Sequence, residues 1–295
     1  MANYLFNVLA ITVILWHLPL AAAAQGFDLT KKTATEEIEL TADNSLEWQQ
    51  KEKVIIADGN AFAKKGDVSV RADRMHAFYR TTGKKNDIYM VTGKNNVVIK
   101  SAAEKAIGND IIYDINKGVM VLTGSPATAY IRGNVLTSDV FEYWQFQDMA
   151  VSRGNAKIVK DDGKTVTAKI MTAHFGKKDK NSKNKTENNQ LEIEYIDLFD
   201  DIVFTGENEK IYADRARYNL LTMIIRLEGN IRMEKGKSRL NGSYAIVNMK
   251  TGISKLFKSG QDKVKGVFIP DEYAKSRKKE KTSDKNTKKD EKAQD

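Results

Sequence analysis

The sequence predicts an all-β protein built from stacked pairs of strands. In the stretch from Val54 to Tyr79, apolar residues alternate with polar ones, and turns at Gly59-Asn60 and Gly66-Asp67 divide it. The second strand of this unit occurs in six copies along the chain, at a spacing near thirty residues, with a small residue at the middle of each: Ala72, Gly108, Ser138, Ala168, Ala213 and Gly242. Such repetition is typical of stacked units that cannot bury their apolar faces alone, so we expect a long, one-dimensional fold.

Two further markers recur with the strands. Apolar strands that end in glycine precede Gly59, Gly93, Gly124, Gly154 and Gly229. The pair Ala-Asp occurs at Ala42-Asp43, Ala57-Asp58, Ala72-Asp73 and Ala213-Asp214. After two of these pairs the apolar alternation changes phase, and a β-bulge or a sharp corner would restore one continuous buried face. We therefore predict a strand bend at each Ala-Asp pair.

The chain divides by composition into five stretches. Residues 1–24 carry no charged side chain and end in small residues, which indicates a cleaved signal peptide; an uncleaved membrane anchor is the alternative. Residues 25–37 form a polar lead-in, and residues 38–270 carry the repeats without a linker. The lysine- and asparagine-rich stretch 176–190 has little to bury and is predicted to be a disordered loop, and 271–295 a disordered charged tail.

Charge and cysteine content limit the function. The chain has no cysteine, which excludes thiolate metal sites and cysteine nucleophiles. Its formal charge of +9 lies entirely after residue 24, so an exported protein with an anionic partner at a membrane or on a glycolipid is indicated. Lysines that only keep a β-rich protein soluble are the alternative. Nucleic acid would suit the charge but not the export, so no nucleic-acid partner is expected.

Catalytic motifs are almost absent from the sequence. It contains no nucleophile elbow, no phosphate-binding loop and no zinc-protease motif, and we expect no enzyme activity, no cofactor and no metal. His76 and His174 follow repeat strands and suit surface packing. Paired acids such as Asp200-Asp201 suggest a polysaccharide-acting enzyme as an alternative, but an active site interrupts a repeat once, whereas these acids lie at turns.

Aromatic residues are spread along the repeats, among them Phe62, Tyr130 and Tyr143. In a closed barrel they would fill the core. If two sheets are splayed open, the same inward face becomes an apolar groove that could hold acyl chains, with lysines at its rim to meet phosphates.

These features resemble a known family. The order IELTADNSLEW, VIIADGNAFAKKGDVSVRADRMHAFY, IYMVTGKNNVVI, the PATAY stretch from Pro126 to Tyr130, and KVKGVFIP is similar to the OstA-like (LptA-like) family of periplasmic lipopolysaccharide transport proteins. The resemblance covers most of Ile38 to Pro270. It implies an open, twisted β-jellyroll of consecutive antiparallel strands, lengthened here by extra repeat units around Gly163 to Tyr218.

The resemblance also implies a cargo, partners and binding residues. Lipopolysaccharide would be carried with its lipid A chains in a continuous groove, lined by Ile38, Leu40 and Tyr143, to which we add the aromatic residues Phe62 and Tyr130. Edge strands near Ile38–Leu40 and Val264–Ile269 would pair with LptC-like jellyrolls of the inner membrane and LptD-like jellyrolls of the outer membrane, or end to end with further copies of the chain. If residues 1–24 are retained, an LptC-like, membrane-anchored member is the alternative.

Overall fold

The computed structural model describes residues 38–83, 85–101, 104–131, 133–177, 191–258 and 263–267. These residues form sixteen strands and one 3-10 helix, Gln145–Gln147. The strands are β1 Glu39–Thr41, β2 Ser45–Gln49, β3 Val54–Lys65, β4 Val68–Thr82, β5 Lys85–Lys100, β6 Glu104–Asp114, β7 Val119–Ile131, β8 Asn134–Trp144, β9 Met149–Val159, β10 Thr165–Lys177, β11 Leu191–Thr205, β12 Glu209–Asn219, β13 Ile224–Lys235, β14 Ser238–Asn248, β15 Ile253–Phe257 and β16 Lys265–Val267.

The strands make one antiparallel sheet in which neighbours in sequence are neighbours in space. The path runs from β1 through β3 and on in order to β15, while β2 also pairs with β3 and β16 with β14. Among the described strands, β1 and β15 do not pair, so the sheet is open. The predicted all-β, consecutive antiparallel fold is confirmed.

A corner crosses the middle of every long strand. The pairing register shifts there in all strand pairs from β3 to β14. Shifts lie between Asp58 and Ala61 and between Arg71 and Arg74, and Asp43 lies in the break that separates β1 from β2. Another lies between Tyr212 and Arg215. The predicted bend at each Ala-Asp pair is confirmed.

The small residues that mark the repeats form a column inside this corner. All six lie on even-numbered strands, from Ala72 on β4 to Gly242 on β14. A Cβ at Gly108 would come within 2.6 Å of the Thr123 carbonyl oxygen, and one at Gly242 within 2.6 Å of Leu256. The neighbouring strand approaches so closely at these two positions that a Cβ atom would clash, which explains the glycines there.

Asparagine and aspartate side chains bridge neighbouring strands on the outside of the corner. Asn60 donates from Nδ2 to Asp43 at 2.7 Å, Asn155 to Asp139 at 3.0 Å, and Asn230 to Asp214 at 2.7 Å. Asn96 donates to both oxygens of Asp73 in the same way. All four asparagines have a positive φ between 43° and 52°, a conformation that asparagine tolerates better than most residues. The Gly-Asn turn and the Ala-Asp pair are therefore two parts of one corner.

The corner divides the sheet into two legs that face each other. Leg A contains strand halves such as residues 54–58 of β3 and 74–82 of β4. Leg B contains the other halves of the same strands, such as residues 61–65 of β3 and 68–72 of β4. Side chains from both legs meet in two apolar cores. One draws on β3 to β8, and the other on β9 to β14. Leu136 on β8 packs against both cores, so the interior continues from one to the other.

Several predictions fall outside the described residues. These are the signal peptide 1–24, the lead-in 25–37, the loop from residue 178 to 190, and the tail 271–295. Their structure stays a prediction.

Candidate functional site

The inner side of leg B carries an unbroken row of apolar residues along the whole sheet. Each member is the pairing partner of the next. The row is Leu40, Ala63, Val70, Ile99, Ala106, Ala129, Leu136, Ile158, Val166, Phe204, Ile211, Met233 and Leu240. Because strand side chains alternate between the two faces, every second residue of these strand halves points inward.

A cavity opens in the interior where the two cores meet. Its volume is about 160 Å³, and its lining is almost entirely apolar. Met120, Leu122 and Tyr143 contribute from the first core, and Ile158, Met171 and Ile196 from the second. Leu136 and Phe175 complete the wall. An apolar cavity of about 150 Å³ in another protein stays dry and binds benzene, so this one has room for a short stretch of hydrocarbon.

Two of the predicted binding residues face this interior. Leu40 packs against the first core and begins the apolar row of leg B. Tyr143 is 9% exposed, lines the cavity, and meets Phe175 edge to face with ring centroids 6.4 Å apart. Tyr143 thus lies in the interior where the two cores meet, and Leu40 lies at one end of it.

Phe62 and Tyr130 lie on the opposite, outer side of leg B. Their chain neighbours, such as Ala63 and Ala129, occupy the inner row, so alternation turns the two rings outward. The Arg71 guanidinium lies 5.5 Å from the Phe62 ring centroid, and Lys105 Nζ lies 5.8 Å from that of Tyr130. Tyr130 is 44% exposed. The structure therefore does not bring these two residues together with Leu40 and Tyr143.

Ile38 lies just before β1 and is 55% exposed, so it is outside the core. The interior residues that sequence reasoning missed are aliphatic, such as Leu136, Met171 and Ile196, because aromatic character rather than strand parity guided the choice. The alternation of apolar and other residues along a strand carries the missing signal. Ala129 and Ile131 flank Tyr130 in one alternating strand, so Tyr130 belongs to the opposite side.

The outer sides of the two legs differ in charge. On leg B, the residues immediately before and after each member of the inner row point outward and form two rows of paired positions. These two rows contain nine cations and two carboxylates. We call this outer side the basic face. Its cations are Lys64, Arg71, Lys100, Lys105, Lys157, Lys210, Arg232, Arg239 and Lys265, and its carboxylates are Glu39 and Glu234. On leg A, acids such as Asp58, Asp114, Glu142 and Asp197 offset the cations.

Within the described residues, both ends of the sheet leave backbone edges unpaired and expose apolar side chains. At one end, β1 and β2 are outermost, with Leu46 55% and Trp48 57% exposed. At the other end, β15 and β16 are outermost and expose Ile253 and Val267. Each edge is broken in two at the corner, so the two ends of the described sheet have the same general form.

A polar cluster lies on the outer side of leg A across β10 to β12. Arg217 donates from Nε and Nη2 to the two oxygens of Asp197, at 2.5 and 2.8 Å. This hydrogen bonding raises the pKa of Arg217. The Tyr195 ring stacks on His174, with centroids 4.3 Å apart, and Arg217 lies 4.8 Å from the Tyr195 centroid. The two hydrogen bonds between Arg217 and Asp197 tie β12 to β11.

The acidic residues that suggested a glycan-cleaving site lie apart from the apolar interior. Asp200 and Asp201 are exposed at the corner, and Asp201 pairs with Lys169 at 2.9 Å. Within the described ranges, no group of three or more histidine, aspartate or glutamate side chains is arranged to hold a metal ion. No helix in the part of the chain that the structure describes is long and apolar enough to span a membrane.

Comparison with known proteins identifies the relatives of this fold. The family described as "LptA/(LptD N-terminal domain) LPS transport protein" matches the chain twice, over residues 39–145 and 135–253. The two matches correspond to the two cores and overlap on β8, the strand that supplies Leu136 to both. No curated protein matches the chain.

Among solved structures, LptH from Pseudomonas aeruginosa is similar at 12% identity, over 80% of this chain and 96% of that one, with a TM-score of 0.19. LptH is described as "the LptA homologous periplasmic component of the conserved lipopolysaccharide transport device". The two family matches together span residues 39 to 253, well over half of the 295 residues. The chain therefore belongs to the family of LptA and LptD N-terminal domain lipopolysaccharide transport proteins.

Proposed function

We propose that this chain acts in the periplasm, where it holds the lipid A acyl chains of lipopolysaccharide between its legs and bridges inner- and outer-membrane components of the transport machinery. The observation that carries the proposal is the inner apolar row, which runs from Leu40 to Leu240 without a polar residue. Along this row an acyl chain would contact aliphatic, methionine and phenylalanine side chains, and the buried polar side chains of Glu104 and Asn134 lie beside the row where the cavity opens.

The cavity at the junction of the two cores sets the scale of the interaction. At about 160 Å³ it accommodates a short hydrocarbon segment and not a whole lipid. Several acyl chains would therefore occupy the interior only if they extend along it or the legs move apart. The sugars and phosphates of the lipid would remain outside the apolar space, at the rim of the legs.

The two open edges support the bridging part of the proposal. An unpaired strand edge offers backbone donors and acceptors to a strand of another jellyroll, and such pairing would continue the inner apolar row into the partner. Exposed apolar residues beside these edges, Leu46 and Trp48 at one end and Val267 at the other, would be covered by the contact. An LptC-like partner, an LptD-like partner or a second copy of the chain each provides such an edge.

Photo-crosslinking in cells tests the lipid path with a matched pair of positions. A photoreactive phenylalanine analogue replaces Tyr143 in one variant and Tyr130 in the other, so the same residue type changes on the inner side and on the outer side. We expect crosslinks to lipopolysaccharide at position 143 and far fewer at position 130. Crosslinking at position 143 that is no stronger than at position 130, in folded protein, would refute the proposal.

A second measurement tests the bridge. Leu46→Asp and Val267→Asp place a charge at opposite edges, where a docked partner strand would bury it, while the free chain leaves both positions in water. We expect each variant to keep the thermal midpoint of the wild type but to lose lengthwise association at its own edge, measured by crosslinking to each partner. Unchanged association of both variants would rule out these edges as docking sites.

A further inference from the structure

We propose that the basic face binds the phosphate headgroups of an anionic phospholipid bilayer, with Arg71, Lys100 and Lys105 as the central contacts. The three cations lie on the adjacent strands β4, β5 and β6. They occupy the outer side of leg B, opposite the interior that is proposed for lipid A. The inference therefore concerns a second surface and stands or falls separately from the lipid path.

Lys100 and Lys105 concentrate positive charge because they are direct partners across two antiparallel strands. Residues so paired have Cβ atoms about 5 Å apart, and like charges in this position are destabilising. Arg71 pairs with Val98, two residues before Lys100, so its side chain is the diagonal neighbour of that lysine. Within the described strands, none of the three cations takes part in a salt bridge. An anion bound between them would relieve their mutual repulsion.

This pair of lysines occurs once along the row. At other hairpins, Lys64 faces Ser69, and Lys210 faces Thr205. Glu234 faces Arg239 and also lies near Arg232, so that part of the row is partly neutralised. Charges that only serve solubility would be spaced apart in every repeat. The departure from the repeat at β5 and β6 is the mark of a local binding function.

The surroundings of the cations suit a membrane surface better than a small soluble anion. Sites for small ligands are concave and bury most of the ligand, whereas Arg71 and Lys100 are exposed on the outer side of a sheet. The Phe62 ring lies against Arg71, and the exposed Tyr130 ring lies against Lys105. Aromatic rings beside cations are the combination that favours the boundary between headgroups and acyl chains.

Vesicle binding tests the proposal with the full chain as it is purified from expressing cells. Vesicles of phosphatidylcholine are compared with vesicles that also contain phosphatidylglycerol, so any binding by other apolar parts of the chain appears in both and cancels. The test variant is Arg71→Gln/Lys100→Gln/Lys105→Gln. The control, Arg215→Gln/Arg226→Gln/Lys255→Gln, removes the same charge from exposed positions on leg A.

We expect the test variant to bind anionic vesicles roughly 100-fold more weakly than the wild type, since each cation near such a surface contributes about 1 kcal/mol and 1.4 kcal/mol is tenfold. The control should lose only a few-fold, through net charge. The proposal would be overturned if the wild type bound both vesicle types equally. It would also be overturned if the test and control variants lost the same amount of binding to anionic vesicles.

A thermal measurement without lipid separates a binding role from a structural one. Lys100→Gln/Lys105→Gln should raise the thermal midpoint of the free chain, because it removes the opposed like charges. A lower midpoint would assign the lysines to fold stability and overturn the proposal. If inorganic phosphate raises the wild-type midpoint but not that of the test variant, while vesicles do not bind, the ligand is soluble phosphate and the bilayer is refuted.

Discussion

Ala150→Leu should stabilise the empty chain and at the same time weaken lipid binding. Ala150 lines the cavity between the cores and pairs with Tyr143 on β8 and Ala173 on β10. At about 24 cal/mol per Å³, an empty cavity of about 160 Å³ corresponds to about 4 kcal/mol of forgone packing. The substitution would recover part of this energy and take up part of the space that an acyl chain would use.

The size of the gain follows from three added carbons. At about 0.8 kcal/mol per buried carbon, less about 0.5–1 kcal/mol for ordering the leucine side chain, the net stabilisation is about 1.5 kcal/mol. For a folded unit of this size, the thermal midpoint should rise by roughly 3–6 °C. Adding lipid A should raise the midpoint of the wild type and raise that of Ala150→Leu much less, because the space is already occupied.

Thermal unfolding with and without lipid A measures both effects. The control is Ala77→Leu, which adds the same side chain to the same inner side of leg A but away from the residues that line the cavity. It should respond to lipid A like the wild type. If Ala150→Leu has a lower midpoint than the wild type and an unchanged response to lipid A, the cavity is neither a packing defect nor part of the lipid path.

Three further predictions concern stability. Ile99→Ala should lower the free energy of unfolding by about 2–5 kcal/mol, whereas Ile112→Ala, on the exposed outer side, should change it by under about 0.5 kcal/mol; similar losses in urea titrations would contradict the assignment of the two sides. Asn230→Ala should cost about 1–3 kcal/mol, because it removes the hydrogen bond to Asp214 and places alanine at a φ of 43°, and Asn230→Gly should cost less because only the bond is lost. A side-chain hydrogen bond from the lysine two residues later lowers the pKa of Asp162 from 3.8 to about 2. A lowered carboxyl pKa stabilises the fold above the unfolded-state value, and this stabilisation is lost as the pH falls towards the folded-state value. The higher thermal midpoint of the wild type over Asp162→Asn should therefore disappear between about pH 4 and pH 2; a gap that persists at the lower pH would refute the pairing.

Much of the fold could be predicted because strand parity and turn residues are local signals. The phase change after Ala72 locates the corner on β4, and the repeat of small residues locates it on the other even-numbered strands. The partner of each corner aspartate could not be predicted in the same way. Asn60 and Asp43 are 17 residues apart, and only the pairing of β1 with β3 places them together.

The candidate site was predicted less well, since the alternation of inward and outward residues changes phase at the corner of some strands, such as β8, and keeps its phase at the corner of others, such as β3. Phe62 lies after the corner of β3 and Tyr143 after the corner of β8, and one faces outward while the other faces inward. A residue's type does not report its side of the sheet; its parity, counted from the nearest corner, does. Tyr130 illustrates the point, because it lies between the inward-facing Ala129 and the core-packed Ile131.

The column of small residues makes the strand pair the unit in which such a chain can change length. Each even-numbered strand from β4 to β14 brings its own small residue to the corner, whereas odd-numbered strands such as β3, β9 and β13 turn there through a Gly-Asn pair with positive φ. Insertion of a single strand would reverse the direction of all later strands and place two like halves of the corner side by side. Insertion of a hairpin would preserve both, and at about 4.8 Å per strand it would lengthen the molecule by roughly 10 Å. Fourteen strands along the path give a span of about 60 Å, so the distance that one molecule covers can be adjusted in steps of one hairpin.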